Sequence, residues 1–424
     1  MTSTSTHSAS SGWTTPILVV VLSAAAIFAL TLGARMALAL YIGPINSATG
    51  LGLASISLAF GVGQLMWGIT QPIGGALADR YGNAPVLVAG ILMVALGLAL
   101  TPYAHTLLTL TLAIGVLGAG GAGIAGPAIL MSAVNRQIPP ERRGMANGIV
   151  NAGGSFGQFT ILPLAVLLID WQGWSVSLLW LAAVSLLAIP LSVKLWLPGT
   201  AQQAAGGVAG GVAAGVAKTT PAPTMKAALK TALADRSFLC LSAGFFVCGF
   251  HVAFIATHLP GVVALCGLPP AVGAWSLGII GLFNIVGSLG IGWAVGRWRS
   301  KSLLSLLYTA RALAVVVFML APKTATSFFI FAAVIGVTYL STVPPTAGLV
   351  GKLYGPRYMA TLFGIVMLSH QVGGFLGAVL GGMLYERSGS YDAIWYADIA
   401  LALFAAVIHL PIREAAMRPL AVPA

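Results

Sequence analysis

The chain has 424 residues, of which 58% are hydrophobic and only 7% are charged, and its mean hydropathy is +0.97. Soluble globular proteins have about a quarter of their residues charged, so this composition excludes that class and predicts an integral membrane protein. The net charge of +12 does not indicate nucleic-acid binding, because basic residues of membrane proteins mark the cytoplasmic loops and the sequence lacks basic patches interleaved with aromatic residues.

Residues 1–16 are polar and lack the basic start and the cleavage site of a signal peptide, which predicts a disordered cytoplasmic tail before an uncleaved first span. A spanning helix needs about 20 mostly apolar residues, and twelve segments meet this requirement. In chain order these predicted spans are residues 17–42, 52–77, 85–103, 106–134, 145–169, 174–196, 237–265, 270–296, 302–321, 325–350, 358–384 and 391–412.

The loops between the predicted spans indicate the orientation in the membrane. With the N-terminus inside, the inner loops and ends hold 16 Lys and Arg residues, whereas the outer loops hold only Lys323 and Arg387. Cytoplasmic loops of membrane proteins carry this excess of basic residues. We therefore expect a multi-pass protein of a bacterial inner membrane with both termini in the cytoplasm.

A stretch rich in Gly, Ala, Thr and Pro interrupts the pattern between the sixth and seventh spans. Its many glycines predict a flexible cytoplasmic linker, with a short basic interfacial helix over 226–236. The predicted organisation is a tail (1–16), an N-terminal six-helix bundle (17–197), the linker (198–236), a C-terminal six-helix bundle (237–413) and a cytoplasmic tail (414–424).

The two predicted halves carry matching segments. GALADR at 75–80 ends span two and GWAVGR at 292–297 ends span eight, an offset of 217 residues. The segments at 140–159 and 356–375 share Pro, Gly-Ile-Val, Gly and Phe positions at an offset of 216. Parallel repeats of this kind place a substrate site between the halves near the membrane midplane.

The segment GALADRYGNAPVL (75–87) resembles the loop motif between spans two and three of the major facilitator superfamily. The resemblance implies an all-α membrane fold of twelve transmembrane helices in two pseudo-symmetric six-helix bundles. It also implies a conformational latch, in which the Asp pairs with charges at a neighbouring helix end. The latch residues carried over by the motif are Gly75, Asp79, Arg80 and Gly82. Asn83 and Ala84 replace the usual basic residues, and Gly296 replaces the acid in the second copy.

Within that superfamily the chain is similar to bacterial members of the monocarboxylate and oxalate/formate carrier branch. The segments that carry this similarity lie at 43–82, 250–261, 281–293 and 338–355. The branch implies that His258 contacts substrate. Its members often carry an arginine one turn after the position of Asn284, where this chain has Ser288.

Ionisable residues inside spans are costly and mark candidate functional sites. Nearly all of them here are cations or potential cations, since only Asp398 among the eight acids lies more than one residue inside a span. A positive cavity without built-in counter-charges favours an anionic substrate. The candidates are Arg35, Arg311, His251, His258 and His370.

Arg35 lies roughly 27 Å along span one at 1.5 Å per residue, in its outer half. Its guanidinium either extends to the outer headgroups or faces the central cavity and binds a carboxylate with two hydrogen bonds. Arg311, near mid-depth in span nine, is expected to form a structural ion pair with Asp398 in span twelve.

Other polar residues complete the predicted substrate site. His251 and His258 lie seven residues apart and therefore on one helix face, and a histidine titrates near neutrality and can carry a coupling proton. Gln64, Trp67 and Gln71 form one polar stripe on span two that either lines the cavity or joins helices. The further substrate-binding candidates are His370, Gln371, Asn284, Ser288, Tyr339 and Gln158.

We therefore expect a secondary active transporter, acting as a monomer, that moves a small monocarboxylate-like organic anion by alternating access. A proton is a candidate coupling partner, and symport, exchange and uniport all remain open. The alternative is an exporter of neutral or amphipathic drug-like compounds or metabolites. The sequence contains no nucleotide-binding, metalloprotease or Cys/His metal motif, so we expect no enzyme activity, cofactor or metal, and no nucleic-acid partner.

Overall fold

The structure is a computed structural model that describes residues 14–196, the first half, and residues 224–414, the second half. Most of the predicted N-terminal tail, linker and C-terminal tail lies outside these residues, and α1 begins at Thr15, within the segment predicted as tail. The first half contains α1 (Thr15–Ala37), α2 (Ile42–Thr49), α3 (Leu53–Tyr81), α4 (Asn83–Leu100), α5 (Leu107–Leu110), α6 (Gly120–Ile124), α7 (Pro127–Gln137), α8 (Pro140–Leu186) and α9 (Ala188–Ser192).

The second half contains α10 (Met225–Ala234), α11 (Arg236–Leu265), α12 (Pro270–Val295), α13 (Ser300–Leu320), α14 (Ala325–Thr338), α15 (Val343–Tyr354), α16 (Met359–Ser388) and α17 (Asp392–Ile408). Each of the twelve predicted spans falls on helix. Within the described residues, nine helical stretches are long and apolar enough to cross a membrane. The short helix predicted before span seven is α10.

Two predicted spans, the fifth and sixth, lie on one helical stretch, α8. The chain reverses inside this stretch at Gly173, whose φ of 80° and ψ of 164° break the helix. Only glycine adopts such a backbone conformation at little cost. The turn between the two spans is therefore a single residue rather than a loop.

Spans four and ten are interrupted near their middles. In span four, a π-helical segment (Thr111–Ala119) leads into α6, and α7 starts at Pro127 after a break at Ala125 and Gly126. In span ten, α14 ends at Thr338 and α15 starts at Val343, just before Pro344 and Pro345. Proline has no N–H and clashes with the preceding turn, which explains both breaks. By contrast, α11 continues through Pro260.

The two halves pack against each other along two helix pairs, α3 with α16 and α8 with α12. A Cβ on Gly75 of α3 would overlap the Ala360 backbone of α16, and a Cβ on Gly144 of α8 would overlap Gly292 of α12. Gly75 and Gly292 are related by the offset of 217, and Gly144 and Ala360 by the offset of 216. The repeat therefore produces two equivalent helix crossings.

Both crossings lie toward the end of the bundle where α3 and α7 terminate. We call it the basic end, because Arg80 and Arg136 lie in the last turns of these helices. The halves are in contact from mid-depth down to this end. The side chains that join them at mid-depth form the candidate site.

Candidate functional site

Arg35 lies in the last turn of α1 and turns its guanidinium toward α3. Its Nη2 donates to Oε1 of Gln64 at 2.5 Å, and its Cζ lies 4.4 Å from the centre of the Trp67 ring. The side chain is partly exposed. Among the described residues, no carboxylate lies within 4.0 Å of it. Arg35 is thus held by a neutral amide and an aromatic face, and its charge has no acidic partner within residues 14–196 and 224–414.

A chain of hydrogen bonds continues from Arg35 into the second half. Gln64 Nε2 donates to Oε1 of Gln371 on α16, and Gln371 Nε2 lies 3.0 Å from Nδ1 of His370. Gln371 is fully buried and His370 is 5% exposed. A Cβ on Gly68 would overlap the Gln371 side chain, so this glycine leaves the space for the chain. The structure thereby brings three predicted site residues, Arg35, Gln371 and His370, into one network through Gln64.

A second polar contact joins α8, α12 and the break in span ten. Asn284 Nδ2 donates to Ser155 Oγ at 2.6 Å, and Asn284 Oδ1 accepts from Leu340 N at 2.9 Å. Asn151 Nδ2 donates to Ser288 Oγ at 2.7 Å and to Leu340 O at 3.1 Å. Asn284 is 2% exposed and Ser288 is fully buried. The substrate-binding candidates Asn284 and Ser288 therefore join the two halves in this conformation and are covered by them.

Two further candidates flank this contact. The Tyr339 hydroxyl donates to Val252 O at 2.8 Å, which ties the break in span ten to α11. Gln158 is partly exposed and lies three residues beyond Ser155 on α8. Residues three apart lie on neighbouring positions of a helix surface.

Arg311 contacts the backbone at the break in span ten. Its Nη2 donates to Thr338 O and, at 2.9 Å, to Tyr339 O. Thr338 is the last residue of α14 and Tyr339 follows it, so both carbonyls lack the usual helical N–H partners. The guanidinium therefore satisfies carbonyl groups that the end of α14 leaves without helical N–H partners.

The predicted direct ion pair of Arg311 with Asp398 is wrong in this structure, because His251 lies between the two side chains. Arg311 Nη1 is 3.4 Å from His251 Nδ1, and His251 Nε2 is 3.2 Å from Asp398 Oδ1. The second distance is that of an ion pair but lacks hydrogen-bond alignment. All three side chains are at least 99% buried. His251 thus belongs to a charged cluster inside the second half.

His258 is separate from Arg35 and packs within the second half. Its Nε2 lies 2.8 Å from Ala378 O, and its ring lies 5.4 Å from that of Tyr391. A Cβ on Gly381 would overlap the imidazole. The two histidines of α11 therefore face different partners, although the seven-residue spacing suggested one shared surface.

The loop motif after α3 forms a contact between the halves at the basic end. Asp79 pairs with Arg136 at 2.5 Å and accepts from Thr361 N at 3.0 Å and Thr361 Oγ1 at 2.7 Å. Arg136 also donates to the carbonyls of Pro356 and Arg357. Asp79 thus pairs with a charge at the end of a neighbouring helix, as the resemblance implied. Its role as a conformational latch stays a prediction.

The other predicted latch residues contribute differently. Arg80 is exposed and lies over the Tyr81 ring at 5.2 Å. Gly82 has a φ of 101° and turns the chain from α3 into α4. Gly75 allows the close approach of Ala360. Among the described residues, no group of three or more His, Cys, Asp or Glu side chains is arranged to hold a metal ion.

A family model, Major Facilitator Superfamily, matches residues 22–378. The chain belongs to this superfamily. The major facilitator fold that the resemblance implied is confirmed by the family match and by solved structures, and the predicted count of twelve spanning helices is consistent with them. The proton:xylose symporter XylE, bound to 6-bromo-6-deoxy-D-glucose, superposes with a TM-score of 0.73 at 14% identity, covering 94% of this chain and 96% of that one. The transporter FucP in the outward conformation gives 0.68 at 15% identity, covering 93% and 98%.

Relatives in sequence include members of the carrier branch that the sequence resembles. Monocarboxylate transporter 13 of Rattus norvegicus is 26% identical over 351 residues, which cover 80% of this chain and 76% of the relative. Monocarboxylate transporter 11 of Homo sapiens is 27% identical over 361 residues (81% and 72%). The MFS-type transporter YcxA of Bacillus subtilis (strain 168) is 23% identical over 360 residues (84% and 85%). These relatives confirm the similarity to monocarboxylate carriers.

Sequence reasoning missed several residues that join the halves, namely Asn151, Ser155, Arg136 and Thr361. One signal for Ser155 was present, because the offset of 216 relates it to the candidate Gln371. In the structure each of these two residues bonds to the opposite half, Ser155 to α12 and Gln371 to α3. The internal repeat therefore marks contact positions even where the residue type differs.

Proposed function

We propose that this member of the major facilitator superfamily is a secondary active transporter that moves a small, monocarboxylate-like organic anion across the membrane by alternating access. The observation that carries the proposal is Arg35, a permanent cation between α1 and α3 without a carboxylate partner among the described residues. The names of the sequence relatives, monocarboxylate transporters 13 and 11, agree with it.

The chemistry of Arg35 suits a carboxylate. A charge in the membrane interior is costly unless it is paired, and here a neutral amide oxygen occupies the position of a counter-ion. A planar guanidinium binds a carboxylate with two parallel hydrogen bonds. The Trp67 ring below the guanidinium keeps it oriented through its negative face. An anion that replaces Gln64 would supply the missing charge.

The contacts between the halves suggest how access alternates. Asp79, Arg136 and Thr361 hold the basic end closed, and Asn284 with Ser155 closes the bundle at mid-depth. Transport requires these contacts to break as the halves rock about the site. We propose that the conformation described here is closed at the basic end and admits the anion from the opposite side.

The finer organisation is part of the same proposal. Two six-span bundles, at 17–197 and 237–413, enclose the site, and both termini lie in the cytoplasm of a bacterium, with the protein in its inner membrane as a monomer. The distribution of 16 inner against two outer basic residues supports this orientation.

Counterflow in proteoliposomes tests the function. Liposomes loaded with unlabelled pyruvate are expected to take up labelled pyruvate only when they contain the protein, and Arg35→Ala is expected to lower the rate. A hydrogen bond to a charged group contributes about 1.5–3 kcal/mol, which corresponds to a fall of roughly 10- to 150-fold. Arg35→Lys should retain part of the activity, since it keeps the charge but not the two-pronged geometry.

The matched control is Arg387→Ala, which removes an exposed arginine in the last turn of α16. Its counterflow rate should equal that of the unmodified protein. A panel of mono- and dicarboxylates extends the assay beyond pyruvate. Unchanged carboxylate flux in Arg35→Ala, together with flux of neutral amphipathic compounds, would instead support an exporter of such compounds.

A further inference from the structure

The hydrogen-bond chain from Arg35 to His370 has a fixed direction. A guanidinium only donates, so Gln64 must present Oε1 to Arg35 and Nε2 to the next residue. Gln371 must then accept through Oε1 and present its own Nε2 to His370. An amide nitrogen only donates, so Nδ1 of His370 accepts. The orientations of the two amides are not independent of each other. Because Arg35 can only donate, it determines the donor and the acceptor in each following hydrogen bond.

The direction of the chain determines the protonation state of His370. With Nδ1 as acceptor, the imidazole is neutral and carries its proton on Nε2. The titratable and charged groups around it are Cys248 on α11, Arg311 on α13, which interacts with that thiol, and Arg35 at the other end of the chain. Among the described residues, no carboxylate lies within 4.0 Å of His370. A second proton on this ring therefore has no acidic partner nearby.

Adding that proton would reverse the chain. A proton taken from water onto Nδ1 makes His370 a donor on both nitrogens, which opposes the amide N–H of Gln371. Gln371 then has to rotate so that Oε1 accepts from His370 and Nε2 points to Gln64. Gln64 has to rotate in turn, which replaces its Oε1 beside Arg35 by an N–H donor. Terminal amide torsions are broad and two-fold, so both rotations need no backbone movement.

We propose that Gln64 and Gln371 are a proton–anion relay, through which protonation of His370 at Nδ1 converts the Arg35 site from one filled by Gln64 Oε1 into a two-donor site for a carboxylate. The inference rests on the proposed function, because the anion at Arg35 is the second ligand. Before protonation, Gln64 competes with the anion for Arg35. After it, Gln64 donates to the same anion. Proton and anion therefore bind together, which is the requirement for symport, and binding of each favours the other by the same factor.

The first test examines the relay without any substrate. Solid-state nitrogen NMR of full-length protein labelled with ¹⁵N-histidine in liposomes, assigned by the signal lost in His370→Gln, reports which ring nitrogen is protonated. We expect the Nε2–H form in the unmodified protein and a mixture of both neutral forms in Gln371→Leu and in Gln64→Leu. A ring protonated on Nδ1 in the unmodified protein would overturn the relay.

The second test counts protons taken up with the anion. Calorimetric titration of purified protein with pyruvate, in buffers of different ionisation heat, gives the number of protons bound per pyruvate. We expect about one proton per pyruvate, and an affinity that falls about tenfold per pH unit where His370 is neutral without pyruvate, as linkage requires. Gln371→Leu and Gln64→Leu should bind pyruvate with an affinity that changes less than twofold over the same range.

The controls remove an exposed histidine and an exposed glutamine outside the chain, His105→Gln and Gln172→Leu, and should keep the proton uptake. Each variant is compared for elution profile and melting temperature in detergent, and the two relay variants on opposite halves check each other for misfolding. Undiminished proton uptake in folded Gln371→Leu would overturn the relay. If the unmodified protein binds and exchanges pyruvate without proton uptake, the relay fails and the proposed function stands. If it neither binds nor exchanges any carboxylate of the panel, the proposed function fails, and the relay loses its second ligand.

Discussion

The breaks in spans four and ten lie at matching places of the two halves but are held in different ways. Span four is packed by backbone: Gly121 approaches Gly90, Gly123 approaches Trp67, and the Thr70 hydroxyl donates to Gly120 O at 2.9 Å. In lipid, small residues allow helices to join through such close contact. All of these partners belong to the first half, so these contacts at the break do not require the two halves to be closed.

Span ten is held by side chains instead. Arg311 binds the carbonyls of Thr338 and Tyr339, and Asn284 and Asn151 bind the N–H and C=O of Leu340. Asn151 comes from the opposite half, so part of this support exists only while the halves are closed at mid-depth. The difference indicates that the break in span ten is sensitive to the conformation of the transporter and that the break in span four is not.

The largest expected effect comes from Arg311→Leu. The substitution leaves two carbonyls at the break without their donor and leaves Asp398 and His251 buried without the cation. Removing one partner of a buried charged group costs about 3–5 kcal/mol. We expect a clearly lower melting temperature in detergent, and the second substitution in Arg311→Leu/Asp398→Leu should recover part of the loss. A double variant less stable than Arg311→Leu would mean that the cluster does not couple these residues.

Gly121→Ala tests the backbone packing of span four. The added Cβ would lie 2.6 Å from Gly90 O, whereas a Cβ on the neighbouring Gly120 would have Thr70 Cγ2 as its nearest atom, at 3.4 Å. Overpacking of a close contact costs about 1–3 kcal/mol, so Gly121→Ala should melt earlier. Gly120→Ala, the matched control, should be neutral or slightly stabilising. Equal melting temperatures for the two variants would show that close backbone contact does not hold this span.

Asn284→Leu tests the dependence of span ten on the closed halves. It leaves Leu340 N–H and Ser155 without their partner, and an unsatisfied buried group costs about 1–3 kcal/mol. Because the bond between Asn284 and Ser155 joins the two halves, it exists only in the closed arrangement. We therefore expect the variant to expose the basic end more often. A cysteine substituted for the exposed Trp293, near the end of α12, would then react faster with a water-soluble maleimide. An unchanged labelling rate would contradict the link between this contact and closure.

The smallest effect is expected for Ser155→Ala, which removes one hydrogen bond and leaves the bond from Leu340 to Asn284 in place. A single hydrogen bond contributes about 0.5–1.5 kcal/mol. The melting temperature of Ser155→Ala and the maleimide labelling rate of its cysteine at position 293 should therefore lie between the values without either substitution and the values for Asn284→Leu. If Ser155→Ala has an effect as large as that of Asn284→Leu, closure of the halves would depend on the bond to Ser155 and not on the bond to Leu340 at the break in span ten.

The sequence predicted the membrane class, the helical segments, the repeat and the family, because each depends on composition or on spacing along the chain. It also selected most of the polar residues that meet at mid-depth, since an ionisable group in a span is rare and costly wherever it points. The position of Gln371 beside His370 and the stripe containing Gln64 were visible as well. Nothing along the chain indicated that Gln64 and Gln371 bond to each other across an interval of 307 residues.

Side-chain partners were decided by the tertiary structure alone. Arg311 and Asp398 were matched as the obvious opposite charges, yet the carbonyls freed at the break in span ten bind the guanidinium, and His251 lies between the two. His251 and His258 share a helix face in an ideal helix, but α13 and α17 surround one and α16 contacts the other. Hydropathy and spacing act over one helix and so can be read from the sequence. The pairing of hydrogen-bond donors with acceptors depends on contacts of about 3 Å between segments that are distant in the sequence. Only the packing of the helices determines these contacts.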